Sequence, residues 1–166
     1  MNDNLISSRR DRLAGLLSQQ GLLLSVAESC TGGWLAKVCT DISGSSSWFD
    51  RGFVTYSNLA KQQMLGVREQ TLQVEGAVSE AVVIEMVSGA LQQSDAHVAV
   101  SISGIAGPGG GTDEKPVGTV WFAWKRRSMP AVASCCHFDG NRDDVRRQAV
   151  ERALLGLLEL VQGSSD

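Results

Sequence analysis

Residues Leu22 to Ala27 form a nearly continuous apolar run that only Ser25 interrupts. A short apolar run without alternation is typical of a strand that helices cover on both faces. The apolar positions between Leu5 and Gln20 recur at helical spacing and predict a helix before this strand. Small and polar residues at 28–33 then predict a turn, and a second helix is predicted from Trp34 to about Thr40. The chain therefore begins with helices packed around a buried strand.

The rest of the chain continues this alternation and then adds two adjacent strands. Together these patterns predict a three-layer α/β/α domain around a mixed β-sheet. The predicted elements are a strand at Gly52–Tyr56, a short helix capped by Ser57 or Asn58, a helix from Ser79 to Gln92, a strand at His97–Ser103, a hairpin of Thr119–Trp124 with Ala131–Phe138, and a helix with apolar residues from Val145 to Val161.

The length and charge of the chain limit the classes of function. The 166 residues are enough for one domain, predicted at 1–166, with a core and a site. A net charge of -3 provides no global positive field, so we expect no nucleic-acid partner. No stretch approaches the ~20 apolar residues that span a bilayer, and Met1 to Asn4 lack a signal-peptide pattern. We therefore expect a cytoplasmic protein that does not bind membranes.

The four cysteines give no sign of a metal site. Cys30, Cys39, Cys135 and Cys136 lack CxxC spacing, and the last two would point to opposite faces of a strand. We therefore expect neither zinc nor a disulfide framework, and no cofactor.

Small and polar residues follow three of the predicted strands, at Glu28–Gly33, Tyr56–Lys61 and Ser103–Thr112. In open α/β sheets, ligands bind beyond the carboxyl ends of the strands. The third segment contains a glycine loop from Gly104 to Gly111, whose backbone could approach a phosphate closely. These loops are the predicted site.

Ser29 lies where a strand gives way to a helix, so backbone N–H groups of Thr31, Gly32 and Gly33 could face an anion. Phosphate binding, an oxyanion hole beside a nucleophilic serine, and a plain N-cap all fit this pattern. The flanking residues match neither G-x-S-x-G nor a P-loop. The two histidines, His97 and His137, are interpreted as structural.

A lysine can serve as base for the serine if its pKa falls from about 10.4 toward 7 or 8. Lys61 lies among apolar residues that could bury it, although an exposed helix lysine fits the spacing as well. Arg146, Arg147 and Gln148 could contact a phosphate or carboxamide from the last helix, or form a solvated face.

Taken together, these segments resemble the CinA C-terminal domain family, in particular its stand-alone bacterial amidases. The resemblance covers nearly the whole chain. It rests on Ala27-Glu28-Ser29-Cys30-Thr31-Gly32-Gly33, Gly52-Phe53-Val54-Thr55-Tyr56-Ser57-Asn58 with Lys61, Gly76-Ala77-Val78-Ser79, Ser103-Gly104-Ile105-Ala106-Gly107-Pro108, Lys115-Pro116-Val117-Gly118-Thr119-Val120 and Arg146-Arg147-Gln148.

The resemblance implies metal-free hydrolysis of the carboxamide of nicotinamide mononucleotide to the acid and ammonia, in pyridine nucleotide recycling. It implies that Ser29 is the nucleophile, Lys61 the base and Tyr56 a proton relay or a support for Lys61. We also expect a homo-oligomer, a dimer or larger. The predicted contacts to the nucleotide are Thr31, Gly32, Gly33, Gly104, Ala106, Gly107, Thr112, Arg147 and Gln148.

Two alternative functions remain open at this point. A catalytically inactive, CinA-like module that binds a pyridine nucleotide would keep the glycine loop without needing Ser29 or Lys61. A thiol hydrolase would use Cys30 and would need a histidine nearby, and none is close in sequence.

Overall fold

The structure is a computed structural model, and it describes residues 3–162. The ends of the predicted domain, residues 1–2 and 163–166, lie outside the described residues. One mixed sheet has the strand order β2-β1-β3-β4-β5. The strands are β1 (Leu24–Glu28), β2 (Phe49–Val54), β3 (Val98–Gly104), β4 (Thr119–Arg126) and β5 (Val132–His137). The helices are α1 (Asp3–Gln20), α2 (Trp34–Thr40), α3 (Asn58–Leu65), α4 (Glu69–Glu75), α5 (Glu80–Gln92) and α6 (Arg142–Gln162), with a 3-10 turn at Ser45–Ser47.

Helices cover both faces of this sheet, which confirms the predicted α/β/α arrangement. The helices α1, α2 and α6 pack together on one face, and α5 contacts the other face together with α3 and α4. Strand β1, which lies between β2 and β3, is buried along its whole length, as its apolar run predicted. Helix α4 was not predicted. No helix within residues 3–162 is long and apolar enough to cross a membrane.

The two faces of the sheet differ in the size of their side chains. On the α6 side, strands present large residues such as Val100 and Phe122. On the α5 side, they present Ala99 and Ala123, and Ser101 Oγ donates to the carbonyl of Val83 at 2.7 Å. Small residues let a helix approach a sheet closely, so α5 lies tightly against the strands.

Strand direction brings four loops to one edge of the sheet. The strands β1, β2 and β3 are parallel, β4 is antiparallel to β3, and β5 is antiparallel to β4. The chain therefore leaves β1, β2, β3 and β5 at the same edge. The predicted second strand begins earlier, at Phe49, and ends at Val54, so Tyr56 lies in the loop beyond it.

Helix α3 begins at the predicted cap, because Ser57 Oγ accepts a hydrogen bond from Ala60 N at 3.0 Å. Its last residue, Leu65, packs against α5 at Gly89. A Cβ atom at Gly89 would lie 1.9 Å from the carbonyl oxygen of Leu65. The missing side chain thus lets α3 and α5 meet, which sets the position of Lys61 on α3.

We predict that Gly89→Ala destabilises the protein by about 1–3 kcal/mol or more, because the new methyl group must displace the end of α3. Gly15→Ala is the matched control, since Gly15 lies in helix α1 and a Cβ atom there would meet nothing within 4 Å. It should stabilise by roughly 0.5–1 kcal/mol through helix propensity alone. Urea unfolding measures both, and equal stability of the two variants would contradict the packing argument.

Candidate active site

The turn after β1 places Ser29 at the shared edge of the sheet. Ser29 N donates to the carbonyl of Ile102 on β3 at 3.0 Å, and Thr55 N donates to the carbonyl of Glu28 at 2.8 Å. The end of β1 is thus tied to both neighbouring strands. Ser29 is 8% exposed, and the helix that follows begins after Gly33 rather than at Ser29. The serine is therefore not the N-cap of α2.

The carboxylate of Glu28 ties the turn to the start of helix α2. Glu28 is fully buried, and its two oxygens accept hydrogen bonds from Leu35 N at 2.9 Å and Ala36 N at 3.0 Å. A carboxylate at the start of a helix satisfies N–H groups that have no partner within the helix. The sequence places Glu28 in the predicted turn at 28–33, but its pattern does not indicate this role.

Arg146 on α6 holds the same turn from the other side. Its Nε donates to the carbonyl of Cys30 at 3.0 Å and its Nη2 to the carbonyl of Thr31 at 3.2 Å. The guanidinium also lies over the ring of Trp34, 5.5 Å from its centroid. Arg146 thus supports the turn and uses its hydrogen bonds on the backbone.

Lys61 reaches Ser29 from helix α3. Its Nζ lies 3.0 Å from Ser29 Oγ, and it donates to the carbonyl oxygens of Thr55 at 2.9 Å and Tyr56 at 3.3 Å. The side chain is 1% exposed, so the exposed-lysine interpretation is wrong. Every one of these partners is a neutral oxygen.

Burial lowers the pKa of Lys61 below its ordinary value, because the ammonium form loses its hydration. A neutral amine has two N–H donors and one lone pair. The carbonyls of Thr55 and Tyr56 match the two donors, which leaves the lone pair to accept the hydroxyl proton of Ser29. The geometry suits a base acting on a serine nucleophile.

A cavity of about 220 Å³ opens above Ser29 and Lys61. We call it the inner cavity. Its walls come from the three predicted loops, from residues 77–78 and from Arg142 at the start of α6. The predicted residues that line it are Ser29, Lys61, Tyr56, Gly104 and Ala106.

The phenol of Tyr56 lies at the mouth of the inner cavity, on a side chain with 60% exposure. Its oxygen accepts a hydrogen bond from Arg142 Nη2 at 3.1 Å. Lys61 meets the backbone carbonyl of Tyr56, not its ring. Support for the lysine thus comes from the main chain at this position.

The other predicted substrate contacts do not line the inner cavity. In the turn, Thr31 is fully buried, Gly32 N donates to the carbonyl of Ser29 at 3.1 Å, and Gly33 is the N-cap residue of α2. In the glycine loop, the carbonyl of Gly107 accepts from Arg142 Nη1 at 2.8 Å, and Thr112 bonds with Lys115.

The two predicted contacts on α6 have partners elsewhere. Arg147 pairs with Asp143 at 3.2 Å and Asp3 at 3.8 Å, and Gln148 donates to the carbonyls of Asp139 and Asp144. Arg142 was not predicted, although the return of β5 to this edge of the sheet indicates its position.

The described residues around the inner cavity support neither a thiol mechanism nor a metal site. Burial raises the pKa of the Cys30 thiol to about 11, and no histidine lines the inner cavity. His97 Nδ1 accepts a hydrogen bond from Leu23 N, which is a structural role. Across residues 3–162, no group of three or more His, Cys, Asp or Glu side chains could hold a metal ion.

Comparison with known proteins gives concordant matches. The model of the CinA C-terminal domain matches residues 7–161. The nicotinamide-nucleotide amidohydrolase PncC of Escherichia coli strain K12 is 56% identical over 154 residues, covering 93% of each chain. The protein of the same name from Pseudomonas putida is 48% identical over 155 residues, covering 93% of this chain and 96% of that protein.

Solved structures match over nearly the whole fold. The competence/damage inducible protein CihA from Agrobacterium tumefaciens superposes with a TM-score of 0.92 at 45% identity, covering 94% of this chain and 95% of that chain. The competence damage-inducible protein A from Klebsiella pneumoniae gives a TM-score of 0.92 at 41% identity, covering 96% and 99%.

We predict that the pKa of the Lys61 side chain lies below the ordinary value of 10.5. At a pH between this lowered pKa and 10.5, the Lys61 amine is then neutral while an ordinary lysine still carries its proton. Titration of the lysine side-chain resonances by NMR measures this, and the resonance missing from Lys61→Met identifies Lys61. A midpoint at or above 10.5 would contradict the base role.

Proposed function

The chain belongs to the CinA C-terminal domain family, and on this premise we propose that it is an amidohydrolase that converts nicotinamide mononucleotide to nicotinate mononucleotide and ammonia. The single observation that supports this most is the buried pair of Ser29 Oγ and Lys61 Nζ at 3.0 Å. The names of the E. coli and P. putida relatives supply the substrate. The reaction would serve pyridine nucleotide recycling.

In the proposed mechanism, neutral Lys61 takes the proton of Ser29 while Ser29 Oγ attacks the carboxamide carbon. Backbone N–H groups of the turn stabilise the oxyanion. Ser29 N and Gly32 N already donate to backbone carbonyls, and Cys30 is the turn residue next to Ser29 that lines the inner cavity, so its N–H group is proposed for this role. The tetrahedral intermediate collapses as protonated Lys61 gives its proton to the amide nitrogen, so that the C–N bond breaks and ammonia leaves.

Water completes the reaction. Lys61, neutral again, accepts a proton from a water molecule that attacks the acyl-serine, and the carboxylic acid leaves with Ser29 reprotonated. The cationic pyridinium ring withdraws electrons from the amide carbon, so the nucleophile needs only moderate activation. Tyr56 borders the inner cavity and is proposed to face the ring or the leaving group.

An inactive nucleotide-binding module is the alternative to this proposal. Such a module gains nothing from burying a lysine without a carboxylate partner, which costs stability. Lys61 is 1% exposed and contacts only neutral oxygens, so the alternative leaves the most costly feature of the site unexplained.

Several narrower points belong to the same proposal. We propose that residues 1–166 act as one catalytic domain, that no metal or other cofactor takes part, and that the substrate is a small nucleotide rather than a nucleic acid. A cytoplasmic location and a homo-oligomeric state stay predictions.

We predict that Ser29→Ala lowers amide hydrolysis about a thousandfold or more, because the nucleophile is lost while the cavity stays. Lys61→Arg should fail similarly, since a guanidinium stays protonated. Ammonia release from nicotinamide mononucleotide measures both.

Cys30→Ala is the matched control for the nucleophile, because Cys30 is adjacent to Ser29 and also lines the inner cavity. It should keep at least about a tenth of the activity, since a thiol with a pKa of about 11 is not the nucleophile. An inactive Cys30→Ala beside an active Ser29→Ala would reverse the assignment.

The proposed enzyme should also distinguish substrates by their phosphate. We predict a kcat/KM for nicotinamide mononucleotide at least about 10- to 100-fold above that for the riboside or free nicotinamide, because each lacks charge-assisted contacts worth ~1.5–3 kcal/mol. Parallel ammonia-release assays on the three compounds measure it. Comparable efficiency would indicate a general amidase.

A further inference from the structure

A second cavity of about 520 Å³ adjoins the inner cavity, and we call it the outer cavity. Ala106 and Arg142 line both, so the two spaces share a wall. Pockets for drug-sized ligands measure about 300–1,000 Å³, and the inner cavity alone falls below that range. A nucleotide whose carboxamide reaches Ser29 would therefore extend beyond the inner cavity, and the outer cavity is the space that adjoins it there.

Arg142 differs from the other charged groups at these cavities. Lys61 is buried with its pKa lowered, and Asp143 is paired with Arg147 at 3.2 Å. The ion pairs between described residues include none with Arg142. Within residues 3–162, its guanidinium is thus a cation without a carboxylate partner, at the boundary between the two cavities.

The guanidinium of Arg142 is also held in place. It donates to Gly107 O at 2.8 Å and to Tyr56 Oη at 3.1 Å, both neutral acceptors. A guanidinium has five N–H donors, so these two contacts leave others for a ligand. The backbone below it is fixed, because Asn141 and Asp144 exchange hydrogen bonds between side chain and main chain at 2.9 Å.

We infer that Arg142 binds the phosphate of the nucleotide and that the outer cavity is the subsite for the phosphoribosyl group, an assignment that rests on the proposed function. A guanidinium pairs with a phosphomonoester through two parallel hydrogen bonds and keeps its charge at every physiological pH. Arg142 is a specificity-determining residue in this assignment, and Arg147 is not the phosphate contact.

The test compares kcat/KM for the mononucleotide with kcat/KM for the riboside, which differ only in the phosphate. Arg142→Gln should lower the ratio between them about 10- to 100-fold, through loss on the mononucleotide alone. Arg142→Lys should keep part of the ratio because it retains a charge. The matched control is Arg68→Gln, which removes an exposed arginine that lines neither cavity.

A structural role for Arg142 would give a different result. If the arginine only held Tyr56 and the Gly107 loop, both substrates would lose efficiency alike and the ratio would stay within about threefold, which would overturn the inference. Tyr56→Phe removes the phenol contact and keeps the guanidinium, so it should preserve the ratio whatever it does to the rates. A collapse of the ratio in Tyr56→Phe equal to that in Arg142→Gln would overturn it as well.

Binding separates this inference from the proposed function. If the wild-type protein hydrolyses neither compound, the proposed function fails. The assignment of Arg142 is then tested by calorimetry, in which the mononucleotide is titrated into the Ser29→Ala protein. Adding Arg142→Gln should then weaken binding about 10- to 100-fold. Unchanged affinity, or no measurable binding by Ser29→Ala itself, would overturn the assignment of Arg142.

Discussion

The buried amine of Lys61 is the interaction on which the rest of the site depends. Its three hydrogen-bond partners are neutral oxygens, so none of them offsets the charge of the ammonium form, and burial lowers its pKa. The unfolded chain binds a proton there at every pH below 10.5, and the folded chain gives it up as the pH rises through the lowered value. The free energy of unfolding therefore decreases as the pH drops from 10.5 through the lowered pKa, because the unfolded chain binds this proton more readily than the folded chain does. The folded structure keeps Lys61 buried despite this loss of stability, which is typical of ionisable groups at functional sites.

The surrounding structure supplies what this placement requires. Gly89 lets the end of α3 pack against α5, and the alanines and Ser101 on that face of the sheet let α5 lie close to the strands. On the opposite face, the carboxylate of Glu28 fixes the first N–H groups of α2, while Arg146 holds the carbonyls of the turn. Ser29 and Lys61 come from different layers, so each layer must be rigid for their 3.0 Å contact to persist.

The sequence predicted the mixed sheet, the capped start of α3 and the three loops, because apolar runs and capping residues act locally. It missed α4, where only Thr71 and Leu72 are buried and no apolar period is visible. It could not decide whether Lys61 was buried, since that depends on packing between α3 and the turn after β1. Arg147 and Gln148 resembled ligand contacts in the sequence, yet their partners lie on α1, on α6 and in the segment before α6. The position of Arg142 near Ser29 follows only from the strand directions. Because β4 reverses the direction of β3 and β5 reverses it again, the chain returns to the edge where Ser29 lies.

Charge distribution connects the base to the proposed substrate. A pyridinium ring beside Ser29 would be repelled by an ammonium group 3.0 Å from Ser29 Oγ, and the neutral amine removes that repulsion. The same loss of charge that would let Lys61 act as the proposed base therefore makes the inner cavity tolerant of a cationic ring. Attraction must then come from elsewhere, and Arg142, which lies where the two cavities meet, is the group that we infer contacts the phosphate. A neutral base within and a guanidinium at the boundary would together favour a zwitterion with its positive end inward, which free nicotinamide is not.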